Sequence, residues 1–105
     1  MSQFEAIDVH GLAALLADDP DVTLIDVRNP DEYAAGHVGQ AVNIPMSVIP
    51  VRVSEIPKDR TTYYICAVGG RSGQVCAWLA EQGYSVVNID GGTNGWAQSG
   101  YPVVI

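Results

Sequence analysis

Thr61 to Gln74 reads TTYYICAVGGRSGQ, and the order of residue types within it decides the architecture. Thr62 to Cys66 are β-branched or aromatic for the most part and carry no charge, the composition of a buried strand. Ser72 is a helix-capping residue type, and a helix pattern follows to about Gln82, where Gly83 supplies a stop. Between strand and helix lie Ala67, Val68, Gly69 and Gly70, and then Arg71. A cysteine therefore stands at a strand end, before a short glycine-rich loop that runs straight into a helix N-terminus.

The first turn of a helix leaves backbone N–H groups without intrahelical partners and carries the positive end of the macrodipole. Two glycines let the preceding backbone curl so that its own N–H groups point inward as an anion-binding nest. Arg71 adds a full charge beside it. A thiol in such a cradle is expected to ionise below the free value of about 8.5 and to be largely thiolate at neutral pH. The same cradle suits an oxyanion substrate or leaving group. The competing reading is a buried structural cysteine, since free cysteine is among the most buried residue types. Glycines, arginine and helix start falling so close together favour the reactive reading.

Outward from this centre, strand and helix patterns alternate. VTLIDV (Val22 to Val27) is nearly continuously apolar, as a parallel strand covered on both faces would be. Asn29-Pro30 is a cap-plus-proline start for a short helix through DEYAA, stopped by Gly36. Asp26 and Arg28 flank this strand's end, where open α/β sheets place ligands, and read as a structural pair that pins the loop. Ala41 to Ile44 is a further short strand. Phe4 to Ile7 can form the first one, and Asp8 then caps a helix with Leu12, Leu15 and Leu16 on one stripe. His10 falls in the exposed first turn of that helix and reads as solvated. Met46 to Ile56 has no clear period: Val48, Ile49, Val51 and Val53 are apolar, but Pro50 and the β-branched residues disfavour a regular helix.

Beyond the loop, Val75, Trp78 and Leu79 take core spacing on the helix, and Cys76 shares the stripe of Leu79, which predicts a buried thiol and not a partner for Cys66. SVVNID (Ser85 to Asp90) is the last strong strand. Gly91-Gly92 with Gly95-Trp96 predicts a tight return, and Tyr101 to Ile105 an ending against a sheet edge. The alternation implies right-handed crossovers and an α/β fold: a mainly parallel central sheet with helices on both faces, and the cysteine loop at the C-terminal end of a central strand.

Composition bounds the function. Residues 1–105 are expected to form one domain, with 48% hydrophobic and 16% charged residues. A formal charge of −7 argues against nucleic acid or an anionic membrane as a partner, both of which require basic patches. It also means that an anionic substrate must be captured by local positive potential around Arg71. MSQFEAID has no basic, apolar leader pattern and no apolar run approaches membrane-spanning length. The two cysteines lack C-x-x-C spacing and suggest neither a disulfide framework nor a zinc site, so a reducing, cytoplasmic setting is expected.

Three stretches together resemble the rhodanese (sulfurtransferase) family: CAVGGR followed by Ser72, LIDVRNPDEYAAGHVGQAVNIP (Leu24 to Pro45) and NIDGGTNGW (Asn88 to Trp96). The active-site loop of that family is a six-residue segment that opens on cysteine and commonly closes on arginine, then Ser or Thr. A Cys-to-Arg loop alone is unspecific; the three stretches in this order are specific and cover nearly the whole chain. The resemblance implies the small rhodanese fold, with a short turn of helix beginning near Pro50. It makes Cys66 the nucleophile and Ala67, Val68, Gly69, Gly70, Arg71 and Ser72 the substrate-binding cradle. Asp26 and Arg28 become scaffold around the pocket, and Trp96 a structural residue that packs beside the loop. His37 belongs to the first signature and is not the nucleophile's base.

The implied activity is transfer of a sulfane sulfur through a Cys66 persulfide to a thiol or cyanide, with no metal or organic cofactor. The expected partners are a small-molecule sulfur donor and a thiol acceptor, which a sulfur-relay protein can carry. Ala67 and Val68 stand where thiosulfate-preferring relatives often have basic residues, so a persulfide or polysulfide donor is the alternative to thiosulfate. Two rival readings stand beside it. Cysteine phosphatases and arsenate reductases place five residues between Cys and Arg, whereas this chain has four and hence a smaller cradle. A non-catalytic interaction module would have no need of both Cys66 and Arg71.

Overall fold

Five short parallel strands make one sheet in the order β1-β5-β4-β2-β3: β1 Glu5–Ile7, β2 Leu24–Asp26, β3 Val42–Asn43, β4 Thr62–Ile65 and β5 Val86–Ile89. The computed structural model describes residues 3–105. Helices α1 Val9–Asp18, α2 Pro30–Ala35, α3 Gly70–Glu81 and α4 Gly92–Gln98 complete the frame. Among the described residues, no helix is long and apolar enough to cross a membrane.

The two-residue period of the strands divides the interior into two cores. Tyr64, Cys66, Ile25, Val27 and Val86 face α3 through Val75, Cys76 and Leu79, with Ile49 and Ile56 closing the side. Ile65, Leu24 and Ile89 face the other way, against Val9, Leu12 and Leu16 of α1 and Trp96 of α4. Each large apolar side chain buried in this way stabilises the fold by about 1.5–3 kcal/mol. β4 has a core on either side, which explains its uncharged, β-branched and aromatic composition.

The strand order also locates the site. From β2 the chain proceeds through α2 to β3, toward one edge; from β4 it proceeds through α3 to β5, toward the other. β2 and β4 are neighbours, paired Asp26 with Ile65. The crevice between their C-terminal ends is thus the switch point at which doubly wound sheets receive ligands.

The short helical turn expected from near Pro50 is the 3₁₀ segment Pro50–Glu55, preceded by another at Met46–Val48, because Pro50 and the β-branched residues oppose a regular α-helix. Three expectations change. The sequence after Asp90 forms α4, not merely a return. Ser72 does not cap α3: Gly69 does, in a left-handed conformation with φ 115°, and the helix begins at Gly70. The C-terminal residues do not close against a sheet edge; Val104 makes an isolated antiparallel bridge to His37.

Candidate active site

Cys66 follows the last residue of β4, only 1% exposed. The left-handed turn at Gly69, where a side chain would be strained, aims the Gly69 N–H at Cys66 Sγ, 3.1 Å away. Since α3 starts at Gly70, Ser72 occupies its first turn and faces inward, fully buried, with its hydroxyl 3.3 Å from the sulfur. Burial pushes the Cys66 thiol up. The Ser72 hydroxyl, followed by the N–H groups of Ser72, Gly69 and Val68, outweighs burial and brings it below its ordinary value. A ring of donors around the sulfur thus favours its ionised form.

Two further elements hold the ring. The first N–H groups of α4 donate to the carbonyls beneath the loop, Thr93 to Cys66 O at 2.8 Å and Asn94 to Ala67 O at 3.0 Å. That close approach requires Gly92, whose φ is 60° and where a Cβ would fall 2.4 Å from Cys66 O and 2.5 Å from Ala67 O. Asn88, on the α3 face of β5, accepts from the Ser72 hydroxyl at 2.5 Å and donates to Gly69 O at 3.1 Å. Sequence reasoning placed both residues in the third signature stretch, with Gly92 in a tight return, but gave neither a part in holding the loop. The signal was present: strand, Gly-Gly, helix occurs twice, at Gly69-Gly70 and at Gly91-Gly92, and the second copy clamps the first.

The β2 side of the crevice is built from two arginine–carboxylate pairs. Asp26 and Arg28 are both buried and joined through Nε and Nη2 of the guanidinium, which also donates to Gly36 O at 2.8 Å. Asn43 ties the same segment through Asp26 O and Arg28 O, at 2.9 and 3.0 Å. The second pair changes the expected role of Arg71. Its guanidinium is engaged by Glu32 on α2, Nη1 to Oε1 at 2.7 Å and Nη2 to Oε2 at 2.9 Å. Glu32 is itself held by the Asn29 N–H at 3.0 Å. Hydrogen bonding from Arg71 and then from Asn29 lowers its carboxyl to about 2, against a smaller opposing effect of burial.

The structure thus brings Cys66, Ala67, Val68, Gly69, Gly70, Arg71 and Ser72 into one loop and helix turn, with Asp26 and Arg28 at the adjoining strand end. It does not bring Trp96 to the loop. That indole lies in the core on the opposite face of the sheet, tilted against the Tyr101 ring and donating to Pro102 O at 2.8 Å. Trp78 is partly exposed, on an apolar cleft shared with Met46, Ile49, Pro50 and Val75. His37 stacks on Tyr33 and its Nδ1 bonds Tyr33 O at 2.7 Å; His10 Nδ1 bonds the Tyr101 hydroxyl at 2.8 Å. Cys76 is free, fully buried and pushed up to about 12 by burial and by the nearby Cys66.

Fold and site together define an α/β protein with a buried cysteine ringed by hydrogen-bond donors at the C-terminal edge of a parallel sheet. The profile of the Rhodanese-like domain matches residues 8–99. A sulfurtransferase of Allochromatium vinosum is 48% identical over 99 residues, 93% of this chain and 92% of that one. A thiosulfate sulfurtransferase of Tolumonas auensis is 37% identical, with 91% of each chain covered. Among solved structures, a rhodanese-related protein from Thermoplasma volcanium superposes with a TM-score of 0.88 at 31% identity, covering 96% of this chain and 98% of that one. The chain belongs to the rhodanese-like domain family.

Proposed function

We propose that the protein is a rhodanese-type sulfurtransferase that carries sulfur on Cys66. The observation that carries this reading is the sulfur atom held by the Gly69 N–H and the Ser72 hydroxyl inside the loop. Similarity to proteins named sulfurtransferase supports it. The Cys66 thiolate attacks the outer sulfur of a sulfane donor. A bond forms from Sγ to that sulfur, and the donor's own bond breaks with its electron pair leaving on the remainder: sulfite from thiosulfate, a thiolate from a persulfide. In the second half-reaction a thiol or cyanide attacks the outer sulfur of the persulfide and returns Cys66 as thiolate. The donors that lower the thiol also stabilise the anionic persulfide, because they are fixed before the charge arrives. The Ser72 hydroxyl has one proton and three acceptors in reach, Cys66 Sγ, Asn88 Oδ1 and Gly69 O, and turning to the sulfur strengthens the cradle when charge resides there. The two free thiols suit a reducing compartment such as the cytoplasm.

Intact-protein mass spectrometry after incubation with thiosulfate and, separately, an inorganic polysulfide tests the reading. One added sulfur, mapped to Cys66 and removed by cyanide, is the expected result. An unmodified protein with both donors, or an adduct that persists in Cys66→Ser, would overturn it.

A further inference from the structure

We infer that Glu32 sets the charge class of the sulfur donor: by occupying the Arg71 guanidinium it fits the site to a monoanionic donor, such as a persulfide or a thiosulfonate, and against the thiosulfate dianion. This rests on the sulfur-transfer reading above. The whole positive inventory of the chain is five side chains against twelve carboxylates. Arg28 is engaged by Asp26, Arg52 by Glu55 and Arg71 by Glu32. Lys58 lies over the Tyr84 ring, close to Gly83 just past the far end of α3. Arg60 lines a cleft with Asp19, Asp21 and Thr23, ahead of the N-terminal ends of β2 and β4. Among the described residues no cationic side chain at the C-terminal edge of the sheet lacks a partner, so the positive potential there rests chiefly on backbone dipoles and the Ser72 hydroxyl.

The Arg71–Glu32 pair is not a casual surface contact. Both terminal nitrogens face both carboxylate oxygens, and the carboxylate is pre-placed by the Asn29 N–H at the start of α2. The guanidinium end that would grip a sulfonate in two-point fashion already holds a carboxylate of the same planar geometry. An entering dianion must displace Glu32 or stand beside it, and the protein as a whole adds a field of −7. A donor with one negative charge asks only for what the loop amides supply.

The pair of probes is thiosulfate and methanethiosulfonate, each with a transferable outer sulfur, the first a dianion and the second a monoanion. Glu32→Gln keeps an oxygen for the Asn29 N–H, removes the charge and puts an NH2 donor where Oε2 accepted from Arg71 Nη2, which frees the guanidinium. It is expected to raise kcat/KM for thiosulfate about tenfold at low ionic strength, with methanethiosulfonate changed by no more than about threefold. A second measurement needs no variant. Between ~10 mM and ~150 mM inert salt the screening length falls from about 30 Å to about 8 Å. The wild-type rate with thiosulfate should rise over that range, and rise more steeply than the rate with methanethiosulfonate, because the interaction being screened is repulsive. Equal changes for the two donors in Glu32→Gln, or a wild-type thiosulfate rate that falls with salt, would overturn the inference. Sulfur loading on Cys66 read by mass in the same samples separates the two claims. Loading with an unchanged donor ratio removes only the role of Glu32, whereas no loading by either donor removes the sulfur-transfer reading and this inference with it.

Discussion

Cys66 and Cys76 are both free and equally hidden, 1% and 0% exposed, and they stand in the same core between the sheet and α3. Burial pushes both thiols up, yet Cys66 ends below its ordinary value and Cys76 at about 12. The difference lies in which part of α3 each one meets. Cys66 faces the helix start, where N–H groups are not yet taken by the i−4 carbonyls and remain free to donate to sulfur. Cys76 sits within the helix, where that ladder is complete, so nothing compensates the loss of water. Depth alone does not make a thiol inert; a lack of donors does.

The strongest test of this contrast exchanges the two sulfurs in turn. Cys66→Ser should reduce thiosulfonate:cyanide transfer to background, while Cys76→Ala should leave it near the parent rate. Comparable losses in both variants would mean that the second thiol takes part in the chemistry.

A large effect is also expected from below the loop. Gly92→Ala places a Cβ against two backbone carbonyls, which cannot swing aside, in a left-handed conformation that alanine resists. Urea unfolding should show a loss of about 2–4 kcal/mol. The surviving folded fraction should lose fast alkylation at Cys66, since the Thr93 and Asn94 bonds to the loop cannot form unchanged. A variant of parental stability and thiol reactivity would show that α4 does not position the loop.

Ser72→Ala removes the first of the donors that lower Cys66. Its alkylation by iodoacetamide should slow about tenfold at pH 6, as expected when one charge-assisted hydrogen bond of about 1.5–3 kcal/mol is lost, and approach the parent at high pH where the thiolate forms unaided. Parallel profiles across pH would remove the hydroxyl from the account.

The smallest effect concerns stability against pH, and the two cysteines contribute with opposite sign. Cys66 is depressed in the fold, so its contribution is present above the unfolded thiol value near 8.5 and is lost as pH falls through the folded value. Cys76 is raised, so its contribution is present below about 8.5 and is lost between there and about 12, where the unfolded chain releases a proton that the folded one keeps. Cys76→Ala should therefore cost about 1 kcal/mol at neutral pH through the small cavity, and the cost should shrink as pH rises from about 8.5 toward 11. Chemical denaturation at several pH values reads this directly; a constant difference would mean that Cys76 ionises alike in both states.

The local grammar of the chain carried much of this protein. An uncharged run before a cysteine, two glycines and a helix pattern is enough to place a thiol at a strand end facing a helix start, because strand burial, left-handed turns and unsatisfied N–H groups are properties of neighbouring residues. The alternation of Ile25 with Leu24, and of Tyr64 with Ile65, fixes which residues share a core for the same reason. What neighbours cannot encode is which distant group meets the loop. Glu32 lies 39 positions before Arg71 and Asn88 lies 16 positions after Ser72. Gly92 comes 26 positions after Cys66, yet it approaches that residue's carbonyl more closely than a side chain allows. Arg71 read alone is a free positive charge beside a thiol, and Trp96 read alone is an aromatic close to a glycine pair. Only the tertiary structure, by pairing β2 with β4 and β4 with β5, turns the arginine to a carboxylate and the tryptophan to the opposite face. Charge balance and side-chain facing depend on partners in space, and the parallel sheet chooses those partners at separations that no local pattern records.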